Sequence, residues 1–325
     1  LDEKRVGTLA QALKMPSLQP LVGPLMQRFV DAPVEECKAL WSTVSMQDLP
    51  VLAAKMHVGK AELGTLEVAF QAVLFELYGA PITAKYRTRY AAEDAALRGL
   101  VARFGATLHP YHFAVETPFL LEEHGKVGVP YGPVIETFKR IARSAVPYEK
   151  TLIGATLLHD IENVVAGFFL RTKRPAEALG AEQLMPLYCY LLSKAQCDAP
   201  YSDARLMDDF LDYAGTMDRR GHWCSVHLQG VEYLARLTPG EMNNNMVCSL
   251  ISGGHERSVA VIGRRGTGKT TLLRALKLRA CPFSAAGVTA VRCVKLTIAE
   301  WDVEGTTRDV APLRELRGVA GVVLC

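Results

Sequence analysis

The segment GAEQLMPLYCYLLSKA, residues 180–195, decides how the helical part of this chain folds. Six of its apolar residues recur at i, i+3, i+4, i+7, i+8 and i+11, which places them on one face of an α-helix and predicts that this face is buried: Leu184, Leu187, Tyr188, Leu191, Leu192 and Ala195. Glu182 stands at the front of this helix, where the helix dipole favours a carboxylate. Glu182 either only stabilises the helix start or is exposed at a functional surface.

Length and composition indicate a globular protein, and the length favours about two domains. The chain has 325 residues, of which 49% are hydrophobic and 22% are charged, values close to those of folded domains. The formal net charge is +3, and no run of Lys or Arg with interleaved aromatic residues occurs. We therefore expect no nucleic-acid partner.

The eight cysteines include no C-x-x-C pair, and several lie in apolar patterns, which favours free thiols in a reducing cytosol. We expect neither a signal peptide nor a membrane span, because no basic start or sufficiently long apolar run is evident. The chain begins at Leu1 rather than Met and closes on the apolar run Val322–Cys325, so both ends look like cuts. The expected location is cytoplasmic.

Four segments differ in pattern. Residues 1–133 alternate apolar helical pieces with Pro breaks and predict an N-terminal supporting bundle, and residues 134–240 keep a helical period. Residues 241–257 contain an Asn run and a Gly pair and predict a flexible linker. Residues 258–325 are β-rich. The expected fold is multidomain, an all-α block followed by an incomplete α/β domain.

Helix boundaries follow from local capping signals. Thr65 is expected to cap a helix that Gly79 and Pro81 end. Ser202 is expected to cap a short helix after the 180–195 segment. The helix after Thr65 is interpreted as a packing element.

Residues 263–271, GRRGTGKTT, fit the phosphate-binding pattern G-x-x-x-x-G-K-[ST] between a predicted strand and a predicted helix. In such a loop the backbone amides cradle phosphates, Lys269 reaches the β and γ phosphates, and Thr270 offers its hydroxyl to Mg²⁺. The predicted nucleotide-binding residues of this loop are Gly263, Gly266, Gly268, Lys269, Thr270 and Thr271. A structural turn with this pattern by chance is the alternative.

Further along, Trp301-Asp302-Val303-Glu304-Gly305 has the pattern W-D-x-x-G, and this region resembles a small or Roco-type GTPase. The resemblance implies that Asp302 helps to hold Mg²⁺ and that the Gly305 amide meets the γ phosphate. It also makes Thr289 a candidate Mg²⁺-sensing residue and places Thr306 where a water-orienting Gln commonly stands. GTP or GDP with Mg²⁺ is the expected cofactor, and ATP is the alternative because the sequence holds no N-K-x-D guanine-reading motif.

The earlier helical block resembles a different family. Its segments PYEKTL (147–152), LGAEQLMPLY (179–188) with SKA (193–195), and GHWCS (221–225) are similar to those of the vacuolar-protein-sorting-nine domain. That domain is the catalytic core of guanine-nucleotide exchange factors for Rab-five-type endosomal GTPases. The resemblance implies a Rab-five-type partner and peripheral association with early endosomes through partners.

The resemblance also implies an acidic finger at Glu182, which enters the partner's nucleotide site, pairs with its phosphate-loop Lys and displaces Mg²⁺. Pro186 is expected to touch the partner's switch region, with His222 and Ser225 completing the surface. The family usually has Asp, Tyr and Thr at the positions of Glu182, His222 and Ser225. The alternative function is a P-loop nucleotide switch whose helical block is a non-catalytic Rab-binding scaffold.

A metal site is a second interpretation of one part of this surface. His222, Cys224 and His227 lie within six residues, but no second ligand cluster at a fitting spacing accompanies them. The favoured interpretation is a packed helix start.

Overall fold

The computed structural model describes residues 2–175, 177–211 and 218–252, together with the backbone of four strands at 257–263, 291–293, 296–302 and 319–324. The chain divides into two compact units, Leu1–Met242 and Asn243–Cys325. The first unit is mainly helical, and the strands of the second unit form a sheet.

Thirteen α-helices lie in the described part of the chain. They are α1 Glu3–Leu13, α2 Gln19–Asp31, α3 Val34–Thr43, α4 Leu49–Lys55, α5 Leu63–Arg89, α6 Ala91–Phe104, α7 Gly132–Arg143, α8 Pro147–Gly154, α9 Leu157–Thr172, α10 Ala181–Ala195, α11 Pro200–Asp209, α12 Arg219–Arg236 and α13 Pro239–Ser252. A π-helical turn, Val44–Asp48, joins α3 to α4, and a short hairpin, β1 Glu122–Glu123 with β2 Lys126–Val127, lies between α6 and α7.

Two hydrophobic cores fill the first unit. The N-terminal core is built mainly by α1 to α5, and the central core by α6, α7, α9, α10 and α12 with the segment before α7. Helix α11 contributes to both, because Leu206 and Phe210 lie in the N-terminal core while Ala204 and Met207 lie in the central core. The bundle before α7 is thus packed against the helices that follow it.

Helix α10 contains the segment from which the sequence predicts a buried face. That face is confirmed, since five of its six residues are buried and Leu184 is half-buried. Burial extends around the helix, however, because Cys189, Tyr190 and Ser193 are buried too. Helix α10 packs against α7, α12 and the 3-10 turn Pro110–Phe113, so it is a central helix rather than a one-sided one.

Helix α5 continues through its predicted end. It starts at Leu63, so Thr65 lies inside the helix rather than at its N-cap. It continues through Gly79 and Pro81 without a break. A helical proline removes one backbone hydrogen bond. Buried Phe75, Ile82 and Tyr86 lie on both sides of Pro81 in the N-terminal core, and this packing offsets the loss.

Ser202 does not cap α11. The helix opens with Pro200, and the carboxylate of Asp94, on α6, takes the place of a local cap. It accepts hydrogen bonds from the Tyr201 amide at 2.9 Å, from the Ser202 amide at 3.4 Å and from the Ser202 hydroxyl. This cap comes from more than one hundred residues away, so no local pattern predicts it.

The predicted flexible linker is largely helical, since α13 covers most of residues 241–257. Thr238 and Glu241 form a capping box: the Glu241 carboxylate accepts from the Thr238 amide at 2.8 Å, and the Thr238 hydroxyl accepts from the Glu241 amide at 3.2 Å. Pro239 follows the cap at a position where a helix tolerates proline. The sequence T-P-G-E is therefore a helix start, a signal that outweighs the Asn run.

Residues Pro147–Thr172 are long and apolar enough to cross a membrane by those two criteria alone, contrary to the expectation from the sequence. The stretch is not one continuous helix, since α8 ends at Gly154 and α9 starts at Leu157. Leu157, Ile161 and Phe168 are buried in the central core. Packing within a folded helical unit therefore accounts for its apolar character.

The sheet of the second unit has the strand order β4-β5-β3-β6, with β3 Arg257–Gly263, β4 Val291–Cys293, β5 Leu296–Asp302 and β6 Val319–Leu324. Strand β3 pairs in parallel with both β5 and β6, while β4 pairs antiparallel with β5. Parallel neighbours require crossover connections rather than tight hairpin turns.

Candidate functional site

Helices α10 and α12 carry all four candidate residues of the exchange surface. The Tyr188 hydroxyl lies 2.8 Å from Nδ1 of His227, and the Cys189 thiol lies 3.9 Å from the Gly230 carbonyl oxygen. Leu192 and Leu234 line one cavity further along. These contacts advance together along both helices, so α10 and α12 run in the same general direction and begin at the same end of the unit.

The candidates on α10 lie at nearly the same distances along the helix from the Tyr188–His227 contact as those on α12. Glu182 precedes Tyr188 by six residues and His222 precedes His227 by five, which at about 1.5 Å per residue puts both about 7–9 Å beyond the Tyr188–His227 contact. Pro186 and Ser225 each precede that contact by two residues. Glu182, His222 and Ser225 are exposed and Pro186 is half-buried, and all four lie towards the starts of the two helices.

Glu182 occupies the first turn of α10, after Gly180 at the N-cap. The Gly180 carbonyl accepts the amides of Gln183 at 3.2 Å and Leu184 at 2.9 Å, which closes the first turn. Pro186 is inside the helix and half-buried, and it has no amide hydrogen to give to the Glu182 carbonyl four residues earlier. Glu182 therefore offers a carboxylate and, beside it, a main-chain carbonyl that lacks its usual helical donor.

The first turn of α12 is fixed from two sides. The Asp218 carboxylate accepts from the Arg220 amide at 2.7 Å and caps the helix. The Arg220 guanidinium lies 4.9 Å from the ring centroid of Tyr148, at the start of α8. Ser225 Oγ accepts from Gln229 Nε2 at 3.4 Å along the exposed face. A hydroxyl and an imidazole are thus held on the outer side of an anchored helix start.

A buried aromatic layer supports this surface. The Trp223 and His227 rings stack with centroids 5.0 Å apart and planes within 17°, and the ring of Phe138 meets Tyr188 edge-on at 5.1 Å. Burial lowers the pKa of His227 to about 3, so His227 is neutral. Gly154 of α8 approaches so closely that a Cβ there would lie 2.4 Å from Trp223 ring atoms.

His222 and His227 do not converge on a common point. His222 is exposed on the outer side of α12, whereas His227 and Cys224 are buried beneath it. Across the residues described with side chains, no group of three or more His, Cys, Asp or Glu side chains is arranged to hold a metal ion. The packed helix start explains these residues.

Two supporting contacts were not predicted from the sequence. Gln183 Nε2 donates to the Glu116 carboxylate at 3.2 Å and ties the tip of α10 to the segment before the hairpin. Tyr188 and His227 join the two helices. Both pairs link residues far apart in the chain, so no spacing rule could have found them.

Two of the predicted nucleotide-binding residues lie in described strands. Gly263 is the last residue of β3 and Asp302 the last of β5, and the two are paired in register across the parallel ladder. The other residues of the nucleotide prediction lie outside the described residues: Gly266, Gly268, Lys269, Thr270, Thr271, Thr289, Gly305 and Thr306.

Comparison with known families places the exchange surface in a recognised domain. Residues 131–239 match the family model described as Vacuolar sorting protein 9 (VPS9) domain, about a third of the 325 residues. No curated protein matches the chain. The match contains all four candidates of the exchange surface and is close to the predicted range 134–240. It indicates a guanine-nucleotide exchange factor that acts on small GTPases of the Rab family.

Proposed function

We propose that this chain is an exchange factor for Rab-five-type endosomal GTPases and that Glu182 is its acidic finger. The observation that carries the proposal is the exposed carboxylate at the front of α10, with Pro186 behind it and His222 and Ser225 at the same end of α12. The family match to residues 131–239 supports the exchange function.

The chemistry requires a carboxylate that can reach a nucleotide site. Glu182 stands at an exposed helix start, and its side chain is one methylene longer than Asp. When such a carboxylate pairs with the partner's phosphate-loop Lys, that Lys loses the β-phosphate as its counter-ion, and the carboxylate displaces Mg²⁺. Each ~1.4 kcal/mol of nucleotide affinity lost in this way raises the release rate about tenfold if it falls on dissociation.

Residues around the carboxylate supply the rest of the docking surface. The Glu182 carbonyl, released from helical pairing by Pro186, is a second acceptor for a partner amide or hydroxyl. His222 and Ser225 add a ring and a hydroxyl on the facing helix. This set is adapted to bind a polar loop rather than an apolar peptide.

The test is release of labelled GDP from a panel of Rab proteins, with the full chain as catalyst. We expect acceleration for a Rab-five-type member and a fall of about tenfold or more in Glu182→Gln, since the variant loses a charge-assisted pair. Glu36→Gln is the matched control, because Glu36 is an exposed first-turn carboxylate on α3, and it should leave the rate unchanged.

Glu182→Asp separates an exchange factor from a scaffold. In an exchange factor, release should persist or rise, because the shorter carboxylate is the family's usual residue. If the parent binds the Rab but leaves release at its spontaneous rate, the scaffold is correct and the exchange proposal is wrong.

We further propose that the second unit binds GTP or GDP with Mg²⁺. The in-register pairing of Gly263 with Asp302 supports this, because parallel strands then bring the ends of both motifs to one edge of the sheet. Thr270 and Asp302 are the proposed Mg²⁺-holding residues.

Binding of labelled GTP, GDP and ATP to the full chain, with and without Mg²⁺, tests this second proposal. We expect Mg²⁺-dependent guanine-nucleotide binding that Lys269→Ala abolishes and that Lys277→Ala, outside the motif, preserves. A preference for ATP would show that the second unit is not a guanine-nucleotide switch.

We propose a cytoplasmic location with peripheral attachment to early endosomes through the Rab partner. Imaging of the tagged chain should show endosomal signal that Glu182 variants with reduced Rab binding lose. Signal that is unchanged in such variants would argue for recruitment by another route.

A further inference from the structure

Tyr188 and His227 form a polar pair inside the central core, directly beneath the exchange surface. The hydroxyl oxygen and Nδ1 are 2.8 Å apart, and both side chains are buried, Tyr188 completely. Burial raises the pKa of Tyr188 well above its usual value, against a smaller opposing effect of the Trp223 indole. Both groups are therefore neutral at physiological pH, and one proton lies between them as a hydrogen bond.

This hydrogen bond differs in kind from the other contacts between the two helices. It is a hydrogen bond between two buried side chains, one on α10 and one on α12. The neighbouring contacts are the thiol of Cys189 with the Gly230 carbonyl and the ring of Tyr188 against Gly230. Apolar contacts favour burial without fixing direction, whereas a hydrogen bond has a narrow range of distance and angle.

Aromatic rings pack against both members of the Tyr188–His227 pair. Trp223 stacks on one side of His227, and Phe138 meets Tyr188 edge-on. Replacing both partners of a buried hydrogen bond by apolar groups of the same shape can be nearly neutral for stability. Buried polar groups are known to fix the register of packed helices. Stability alone therefore gives no reason for Tyr and His at these two positions.

We infer that the Tyr188–His227 hydrogen bond sets the register of α10 against α12 and thereby fixes the axial level of Glu182 relative to His222. The inference rests on the proposed exchange function. Tyr188 and His227 are positioning residues, since neither reaches the surface. Glu182 and Pro186 lie six and two residues before Tyr188 on the same helix. If α10 slides along its axis relative to α12, both residues therefore move by the same distance.

The expected size of the effect follows from the precision that catalysis requires. A misplacement of about 1 Å can reduce a rate up to about a hundredfold. For Tyr188→Phe we expect the maximal rate of nucleotide release to fall about tenfold, with the affinity for nucleotide-free Rab changed less than about threefold. A loss confined to folding would lower the active fraction in both measurements alike.

The decisive variant is the double substitution Tyr188→Phe with His227→Leu, which removes both partners of the hydrogen bond together. We expect it to recover thermal stability relative to Tyr188→Phe, while release stays slow because the directional contact is gone. Cys189→Ala is the matched control, since it alters the same helix interface and keeps the hydrogen bond. It should retain the parental release rate even if it lowers stability.

A second measurement reads the register without a Rab. Spin labels on non-natural residues at positions 181 and 219, both exposed, report the distance between the two helix starts in the full chain. We expect one narrow distance in the parent and in Cys189→Ala, and a shifted or broadened one in Tyr188→Phe and in the double variant.

Full recovery of release together with stability in the double variant, or an unchanged label distance, overturns the inference. Should the parent accelerate release from no Rab, the proposed function fails, and the label distance still decides whether the pair sets the register.

Discussion

The contact between Gly154 and Trp223 predicts that one added methyl group destabilises the unit that contains Glu182 and the VPS9 match. A Cβ on Gly154 would lie 2.4 Å from three ring atoms of Trp223, whereas carbon atoms pack favourably at about 3.5–4.0 Å. Either α8 or the indole must therefore move by about 1 Å or more. Trp223 is fully buried and stacked on His227, so its ring has no free space to enter.

The magnitude follows from two opposing effects. Overpacking a filled core costs typically about 1–3 kcal/mol. Replacing Gly by Ala in a helix contributes up to about 1 kcal/mol in favour of folding, and less at the last residue of α8. We expect Gly154→Ala to lower the free energy of unfolding by about 1–2 kcal/mol.

Gly167 provides the control, since it lies inside α9 and a Cβ there meets no atom within 4 Å. Gly167→Ala should raise the free energy of unfolding by about 0.4–1 kcal/mol, so the two Gly→Ala changes should have opposite signs. Urea unfolding of the full chain, followed by far-UV circular dichroism through the helical transition, measures both. Equal stabilisation by the two variants would refute the packing argument.

Three further predictions concern buried polar groups. Lys150→Met should cost about 3–5 kcal/mol because it leaves Asp203, 3.1 Å from Lys150 Nζ, as an uncompensated buried carboxylate, and adding Asp203→Leu should recover most of the loss in urea unfolding. Asp94→Ala should cost about 1–2 kcal/mol, because α11 loses its cap, and should lower the unfolding midpoint. The pKa of His227 is lowered to about 3, so the unfolded chain takes up the proton first and stability should fall as the pH drops below about 6.5. Tyr188→Phe with His227→Leu should reduce that slope by up to about 1.4 kcal/mol per pH unit in urea titrations between pH 7 and 4.5.

Local patterns predicted the parts of the fold that local physics decides. The helical period of residues 184–195 identified the buried face of α10, and the position of Glu182 before that run placed it in the first turn of the helix. The end of α5 cannot be predicted in this way, because the cost of Pro81 is local while the packing that offsets it comes from the N-terminal core. The predicted linker is wrong for most of its length, because T-P-G-E starts helix α13.

The supporting layer of the site could not be predicted in this way. Gln183 meets Glu116 and Gly154 meets Trp223 across 67 and 69 residues of chain, respectively, so each contact exists only once the helices have packed. His227 was visible in the sequence only as a possible metal ligand. Its stacking and its neutral state depend on burial, which a single sequence does not reveal for one His among eight.

The first residues of α10 are exposed, yet a hydrogen bond from another segment holds them in place. From Leu187 onward the helix is enclosed, whereas Ala181 and Glu182 are exposed and the four residues that follow are half-buried. Pro186 lies at this transition and has no amide hydrogen, so the first turn of α10 has one backbone hydrogen bond fewer to the rest of the helix. The hydrogen bond from Gln183 to Glu116 restrains this first turn from outside the helix. The role proposed for Glu182 needs both properties: a side chain that is free of the core and a helix tip that is held in place.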